Sequence, residues 1–268
     1  PISMGIFLVF FLPDNSAPSG EGKNNLAASL LSRLAAFTLA EVLITLGIIG
    51  IVAAMTMPSL IQNYRNTVLH NQFKKGYSNL SKALALTKEE LGTSDLINNY
   101  ATYDSKKQDY PYRQDFLNAF YKAINVKTKA KNYKICNFSK TVCWSDYWDT
   151  GTPVPVYILE DGSSVSAYIN SGTIMLDTDI NGPSKGPNRY GFDIFTFAVK
   201  SNDTLGPIKM SKLYSDEELE KTEWPVIAGQ PCSKQSNQRS NGFGCSYYAL
   251  NDISPDDNTK TYWKNLPW

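Results

Sequence analysis

Residues 37–61 read FTLAEVLITLGIIGIVAAMTMPSLI, and from Val42 to Ile61 no side chain carries a charge. About 20 such residues, at roughly 1.5 Å of rise each, make a helix of about 30 Å, the thickness of a bilayer's hydrocarbon core. A run this apolar predicts a membrane-spanning helix over 37–61 and confines any globular part to the remainder of the chain. One residue departs from a plain anchor. Glu41 lies just inside the apolar run, where a carboxylate costs about 2.5–3.5 kcal/mol at the bilayer centre and less near its edge. A residue retained at that cost is a candidate functional group in need of a partner.

The hexapeptide Ala36-Phe37-Thr38-Leu39-Ala40-Glu41, followed by the apolar helix, resembles the prepilin N-terminal motif of type IV pilins and type II secretion pseudopilins. The resemblance implies cleavage between Ala36 and Phe37 by a membrane peptidase, and N-methylation of Phe37. It also implies that Glu41 pairs with the N-terminal amine of a neighbouring subunit during filament assembly. Gly50 and Pro58 stand where that family's helix loosens on entering the filament, and both residue types weaken a helix interior. The family usually has Gly before the cut; Ala36 is small enough for the same pocket. The motif covers about 25 residues of the chain.

Residues 1–36 are then a leader. Ile6–Leu12 is apolar but too short to span, and the polar stretch 14–25 is expected to be disordered. Lys23 and Arg33 bias this end toward the cytoplasm. The leader is longer than the family's short basic one and contains Asp14 and Glu21. Met4 is the first methionine; the segment is either an extended leader or in part untranslated sequence, the second being preferred.

Beyond Pro58 the apolar pattern continues in a different form. Leu69, Phe73, Tyr77, Leu80, Leu84 and Leu91 recur at three, four or seven residues, with charged and polar residues between them, which predicts an amphipathic helix over 62–92. Gly92 suits its C-terminus. One long helix, half in the membrane and half striped, should pack on a head formed by residues 93–268. The fold expected is α+β, a long N-terminal helix on a C-terminal antiparallel sheet, in the pilin-like lollipop arrangement.

Within the head, residues 113–124 read as a helix with Phe116, Leu117, Phe120 and Ile124 on one face. From Val154 the period becomes two. Residues 156–159 and 165–169 flank Asp161-Gly162, a strong hairpin signal. Further strands are expected over 173–176 and 192–199 and near 208–213. Sequential links of this kind build an antiparallel sheet. A short helix is expected over 215–221, with Ser215 as its N-cap.

Asp177, Asp179 and Asn181 occupy the first, third and fifth positions of a calcium loop, and Gly182 the sixth, where the backbone must turn. Oxygen ligands on alternate residues converge on one cation when a glycine lets the chain fold back. The twelfth position is Asn188 instead of the bidentate Glu, and Asp193, after the Gly191 turn, is the carboxylate offered in its place. The stretch 177–193 also resembles the Asp/Asn/Gly-rich loop of major pseudopilins, in which bound calcium steadies the C-terminal region. The expected cofactor is therefore Ca²⁺. The competing reading is a tight polar loop that needs no metal.

Four cysteines behind a membrane helix predict disulfides in an oxidising compartment. Of three possible connectivities, Cys136–Cys143 and Cys232–Cys245 are favoured because each closes a short irregular loop, the second worth about 3 kcal/mol in the chain-entropy account. There is no C-x₂-C pair to suggest zinc. The chain has one histidine, His70, which leaves no Ser–His–Asp or Cys–His scheme unless His70 is the base. No catalytic residue is expected.

The basic run of Lys122, Lys127, Lys129, Lys131 and Lys134 has no Arg and only Tyr133 as a stacking surface. With a net charge of +1, nucleic acid is not an expected partner. The expected partners are a prepilin peptidase, sister pilin or pseudopilin subunits, an assembly ATPase acting indirectly, and the membrane. The precursor should sit as a single-pass protein in a bacterial inner membrane with its head outside the cytoplasm, before joining a periplasmic or surface filament. The mature chain is longer than expected of a major pseudopilin, so a minor or surface-displaying subunit fits at least as well. The alternative is a tethered adhesin or DNA-uptake receptor, using the helix only as an anchor.

Overall fold

The computed structural model describes residues 38–131, 133–144, 154–170, 172–210, 226–227 and 231–266. The leader, the cleavage pair Ala36 and Phe37, and the expected helix over 215–221 lie outside these residues. The chain divides into two compact units, residues 1–56 and 57–268.

The described part of the first unit is the start of a single helix, α1, Leu39–Leu91. It is long and apolar enough to cross a membrane, and none of its most apolar stretch is buried against protein. Its side chains here, among them Leu43, Ile44, Leu46, Ile48, Ile49 and Ile51, are exposed. A fold that exposes so many aliphatic residues along one rod needs a second apolar phase to receive them.

The second unit contains the rest of α1. Its exposed apolar surface ends at Met57, Leu60 and Ile61, and burial begins at Asn66 and Leu69. From there the stripe predicted by the spacing is the one buried: Leu69, Phe73, Leu80 and Leu84 are core residues, with Tyr77 and Leu91 packed at its edge. The helix ends as its sequence dictates. Gly92 takes a left-handed conformation with φ +60°, and the Gly92 and Thr93 amides donate to the Glu89 and Lys88 carbonyls. These two bonds make a Schellman motif that satisfies the last carbonyls of the helix. Lys88 also pairs with buried Asp203 at 3.1 Å, whose other carboxylate oxygen accepts from the Leu96 amide. The helix end is thereby tied to the sheet.

Short helices α2 (Leu96–Tyr100) and α3 (Arg113–Ala123) follow. Among the described residues ten strands come next: β1 Thr128–Lys129, β2 Ile135–Cys136, β3 Cys143–Trp144, β4 Tyr157–Ile158, β5 Ser164–Asn170, β6 Thr173–Asp179, β7 Ile194–Val199, β8 Leu205–Pro207, β9 Lys209–Met210 and β10 Val226–Ile227. Helix α4 is Cys245–Asn251, and a 3₁₀ turn at Trp263–Asn265 closes the described chain. Six strands form one antiparallel sheet in the order β1-β4-β5-β6-β7-β8. The α+β class expected from the sequence is present.

Both faces of this sheet are covered, which explains the imperfect alternation of the 192–199 stretch. Val165, Ala167, Ile174, Leu176, Phe195 and Phe197 face α1. Tyr168, Met175, Ile194 and Ala198 face a second core with Ile135, Val156, Tyr190 and Phe243. A strand buried on both sides reads as a continuous apolar run. The strand also begins later than its composition suggests, at Ile194. Residues 190–193 form a tight turn in which the Arg189 carbonyl accepts from the Phe192, Asp193 and Ile194 amides. Helix and sheet approach closely at Gly76, where a Cβ would lie 3.3 Å from Ile180 and 3.5 Å from Thr178.

Both favoured disulfides, Cys136–Cys143 and Cys232–Cys245, are present. Trp263 and Leu266 are buried, with Trp263 stacked on His70 at 5.0 Å between ring centroids. His70 is thus engaged in packing. Burial and nearby Lys74 hold its pKa below the usual imidazole value.

Candidate functional site

Two places carry the residues singled out by the sequence: the start of α1 and the loop after β6. At the start of α1 the Thr38 hydroxyl accepts from the Glu41 amide at 3.2 Å. Glu41 Oε2 in turn accepts from the Thr38 amide at 2.8 Å and from its hydroxyl at 3.0 Å. This reciprocal pair is a capping box, which satisfies amides that a helix start otherwise leaves open. The sequence has the Thr-x-x-Glu signature, but the reading of Glu41 as an assembly residue passed over it. Only one carboxylate oxygen is used. Oε1 accepts from no described donor, so the group is fixed in place with half of its acceptor capacity open. Gly50 and Pro58 lie within the helix, which runs unbroken through both.

The second place is built by β6 and the turn into β7. Strand alternation turns Asp177 and Asp179 to the face away from α1, opposite Ser166 and Ser164 in the β5 register. The two aspartates then part company. Asp177 accepts from the Tyr190 hydroxyl at 3.1 Å. Burial pushes its pKa up to about 7. Asp179 turns toward the loop. Its Oδ1 accepts from the Gly182 and Asn181 amides at 2.8 and 3.3 Å, and its Oδ2 from the Tyr133 hydroxyl at 2.7 Å.

Asp193 faces Asp179 across the loop. It accepts from the Arg189 amide at 2.6 Å and the Asn188 amide at 2.9 Å. Burial, and then the neighbouring Asp179 charge, raise the Asp193 pKa; burial raises that of Asp179. The loop folds back at Gly182, whose φ is +85° and where a Cβ would strike the Gly162 carbonyl. Glycine is therefore obligatory at the sixth loop position, as the sequence pattern requires.

Two further polar atoms complete this place. The side-chain oxygens Oδ1 of Asn181 and Asn188 are buried and accept no hydrogen bond, while their amide nitrogens donate to the Gly186 and Pro183 carbonyls. Unsatisfied buried acceptors are costly and call for a compensating group. Among the described residues, no three of the types His, Cys, Asp and Glu cluster as a metal set. Asp179, Asp193, Asn181 and Asn188 thus bring two carboxylates and two amide oxygens to one loop, donor types suited to a hard, oxygen-seeking cation. Asn188, read from the sequence only as a missing Glu, belongs to this set. Asp177 stands apart with Tyr190.

The lysine run is dispersed. Lys122 pairs with Glu90 and Lys127 with Glu160 on the surface. Tyr133, the one stacking surface in that run, spends its hydroxyl on Asp179.

Comparison of the chain with protein-family models, with curated proteins and with solved structures found no match.

Proposed function

We propose that this chain is a subunit of a type IV pilus or type II secretion filament, of the pilin or pseudopilin kind. It would be made as a membrane precursor, cut between Ala36 and Phe37 and methylated on Phe37. The observation that carries this reading is the state of Glu41. It stands at the start of an exposed apolar helix, oriented by Thr38, with one oxygen open to a donor from outside the chain. A neighbour's N-terminal amine is a donor of the right charge. The work of the protein is then assembly, with a prepilin peptidase, sister subunits and an assembly ATPase as its partners and no catalytic residue of its own. Expressed with such a machine, the chain should be recovered in sheared, sedimentable filaments; recovery only as a dispersed membrane protein contradicts the reading.

A tethered binding protein is the second reading, and the same capping box favours it. If Glu41 serves only to start the helix, the span is an anchor and the head an adhesin or uptake receptor.

The loop after β6 is read as a calcium site that joins β6 to β7, with Asp179 and Asp193 supplying charge and Asn181 and Asn188 supplying amide oxygens. Calcium at about 100 times its dissociation constant would stabilise the fold by about 2.7 kcal/mol. For a head of this size that raises the melting temperature by about 5–10 °C. Asp193→Asn should remove the shift, and an unchanged melting temperature at millimolar calcium contradicts the site.

A further inference from the structure

Within the second unit, a groove of about 570 Å³ lies where α1 passes from exposed to buried. Its helix wall is Tyr64, Arg65, Val68 and Gln72, and its far wall includes Lys140, Lys185, Arg189 and Phe192. Among the described residues, four cations line it and no carboxylate does. Lys140 is carried by the loop that the Cys136–Cys143 disulfide closes, and Lys185 by the loop after Gly182. Neither lysine forms an ion pair with a described carboxylate. Arg189 is nearly buried, held by the Phe138 carbonyl and flanked by the Phe138 and Phe192 rings. The cations therefore surround a partly apolar cleft instead of spreading over a solvated surface.

The position of this groove along α1 identifies what it faces. Tyr64 and Arg65 follow Ile61, the last aliphatic residue of the exposed run, within one helical turn. An exposed tyrosine and an arginine one turn past an apolar span are interfacial residues, at the depth of lipid headgroups. A cluster of cations there attracts anionic lipid.

We propose that this groove binds the phosphate-bearing headgroup of an anionic phospholipid, Lys140 and Lys185 holding the phosphate and Val68 and Phe192 meeting the glycerol and first methylenes. This rests on the reading of residues 42–61 as a membrane span, not on cleavage or polymerisation. The lipid would seat the head on the bilayer surface and give the disulfide-closed loop a task beyond stability.

The test uses the full chain in nanodiscs of equal phosphatidylglycerol and phosphatidylcholine, with native mass spectrometry counting the lipids retained. Phosphatidylglycerol should be retained at least about tenfold over phosphatidylcholine. Each lysine removed should cost about fivefold, so Lys140→Gln with Lys185→Gln should abolish the preference. Lys106→Gln with Lys107→Gln, exposed elsewhere, should leave it intact. Equal retention of the two lipids, or a preference that survives the double variant, overturns the site. A lysine-dependent dimer without lipid preference places a neighbour's carboxylates in the groove and also overturns it. A chain that never enters the nanodisc refutes the span and this site together, whereas entry without selectivity refutes the site alone. The same spectra give the mass of the chain, so a failure of processing at Phe37 is read separately.

Discussion

Glu41→Val should leave the chain inserted in the membrane and abolish its recovery in filaments. Insertion becomes easier, because the substitution removes the only charge in the apolar segment. The local cost is the capping box, about 1 kcal/mol at the start of a helix that continues for many turns. A loss that small does not unfold α1. What disappears is the negative charge that a neighbour's terminal amine would meet in a low-dielectric setting, where such a pair has no water to replace it. Glu41→Gln separates the two roles. Glutamine can still accept from Thr38 and keep the box, yet it carries no charge. If charge drives assembly, the Gln variant fails as completely as the Val variant. Normal filaments from it would reduce Glu41 to a helix cap and favour the tethered reading.

Phe73→Ala should cost the head about 3–5 kcal/mol, the usual range for removing a fully buried phenylalanine. Phe73 is 1% exposed and is the point where α1, the sheet and the C-terminal turn meet. Its ring lies 4.6 Å from Phe195, 5.2 Å from Trp263 and 5.9 Å from Phe197 between centroids. Alanine would leave a cavity walled by three aromatic rings, which cannot collapse without moving the helix. Phe73→Leu should cost much less, about 1.5 kcal/mol, because most of the volume is kept. Urea unfolding at fixed calcium measures both, as a lower midpoint at unchanged slope. A loss below about 1 kcal/mol for the Ala variant would show that the helix stripe does not hold the head together.

Features set by neighbours in the chain were legible in the sequence. The stripe from Leu69 to Leu84, the stop at Gly92, the Asp161-Gly162 hairpin and the disulfide-closed loops each follow from patterns that are short in sequence. What the sequence hid depends on distant partners. The second core is not visible in a period-two pattern, because Ile194 and Ala198 share it with Ile135, Val156 and Phe243, which come from elsewhere in the chain. Asp177 and Asp179 look equivalent in a calcium-loop pattern. They are separated by a long-range choice, Tyr190 for one and Tyr133 with the Gly182 turn for the other. Asn188 looks like a lost ligand until the fold buries its side-chain oxygen without a donor and sets its backbone N–H on Asp193. The Thr38–Glu41 box is also written in the sequence, as Thr-x-x-Glu, where it competes with the membrane setting as the reason for the carboxylate.

The most direct measurement is the mass of the N-terminal peptide of the chain recovered from cells that carry a prepilin peptidase. The account predicts a peptide that begins at Phe37 and carries one methyl group on its amine. A peptide that extends upstream of Phe37, or one that begins at a different residue, would contradict it.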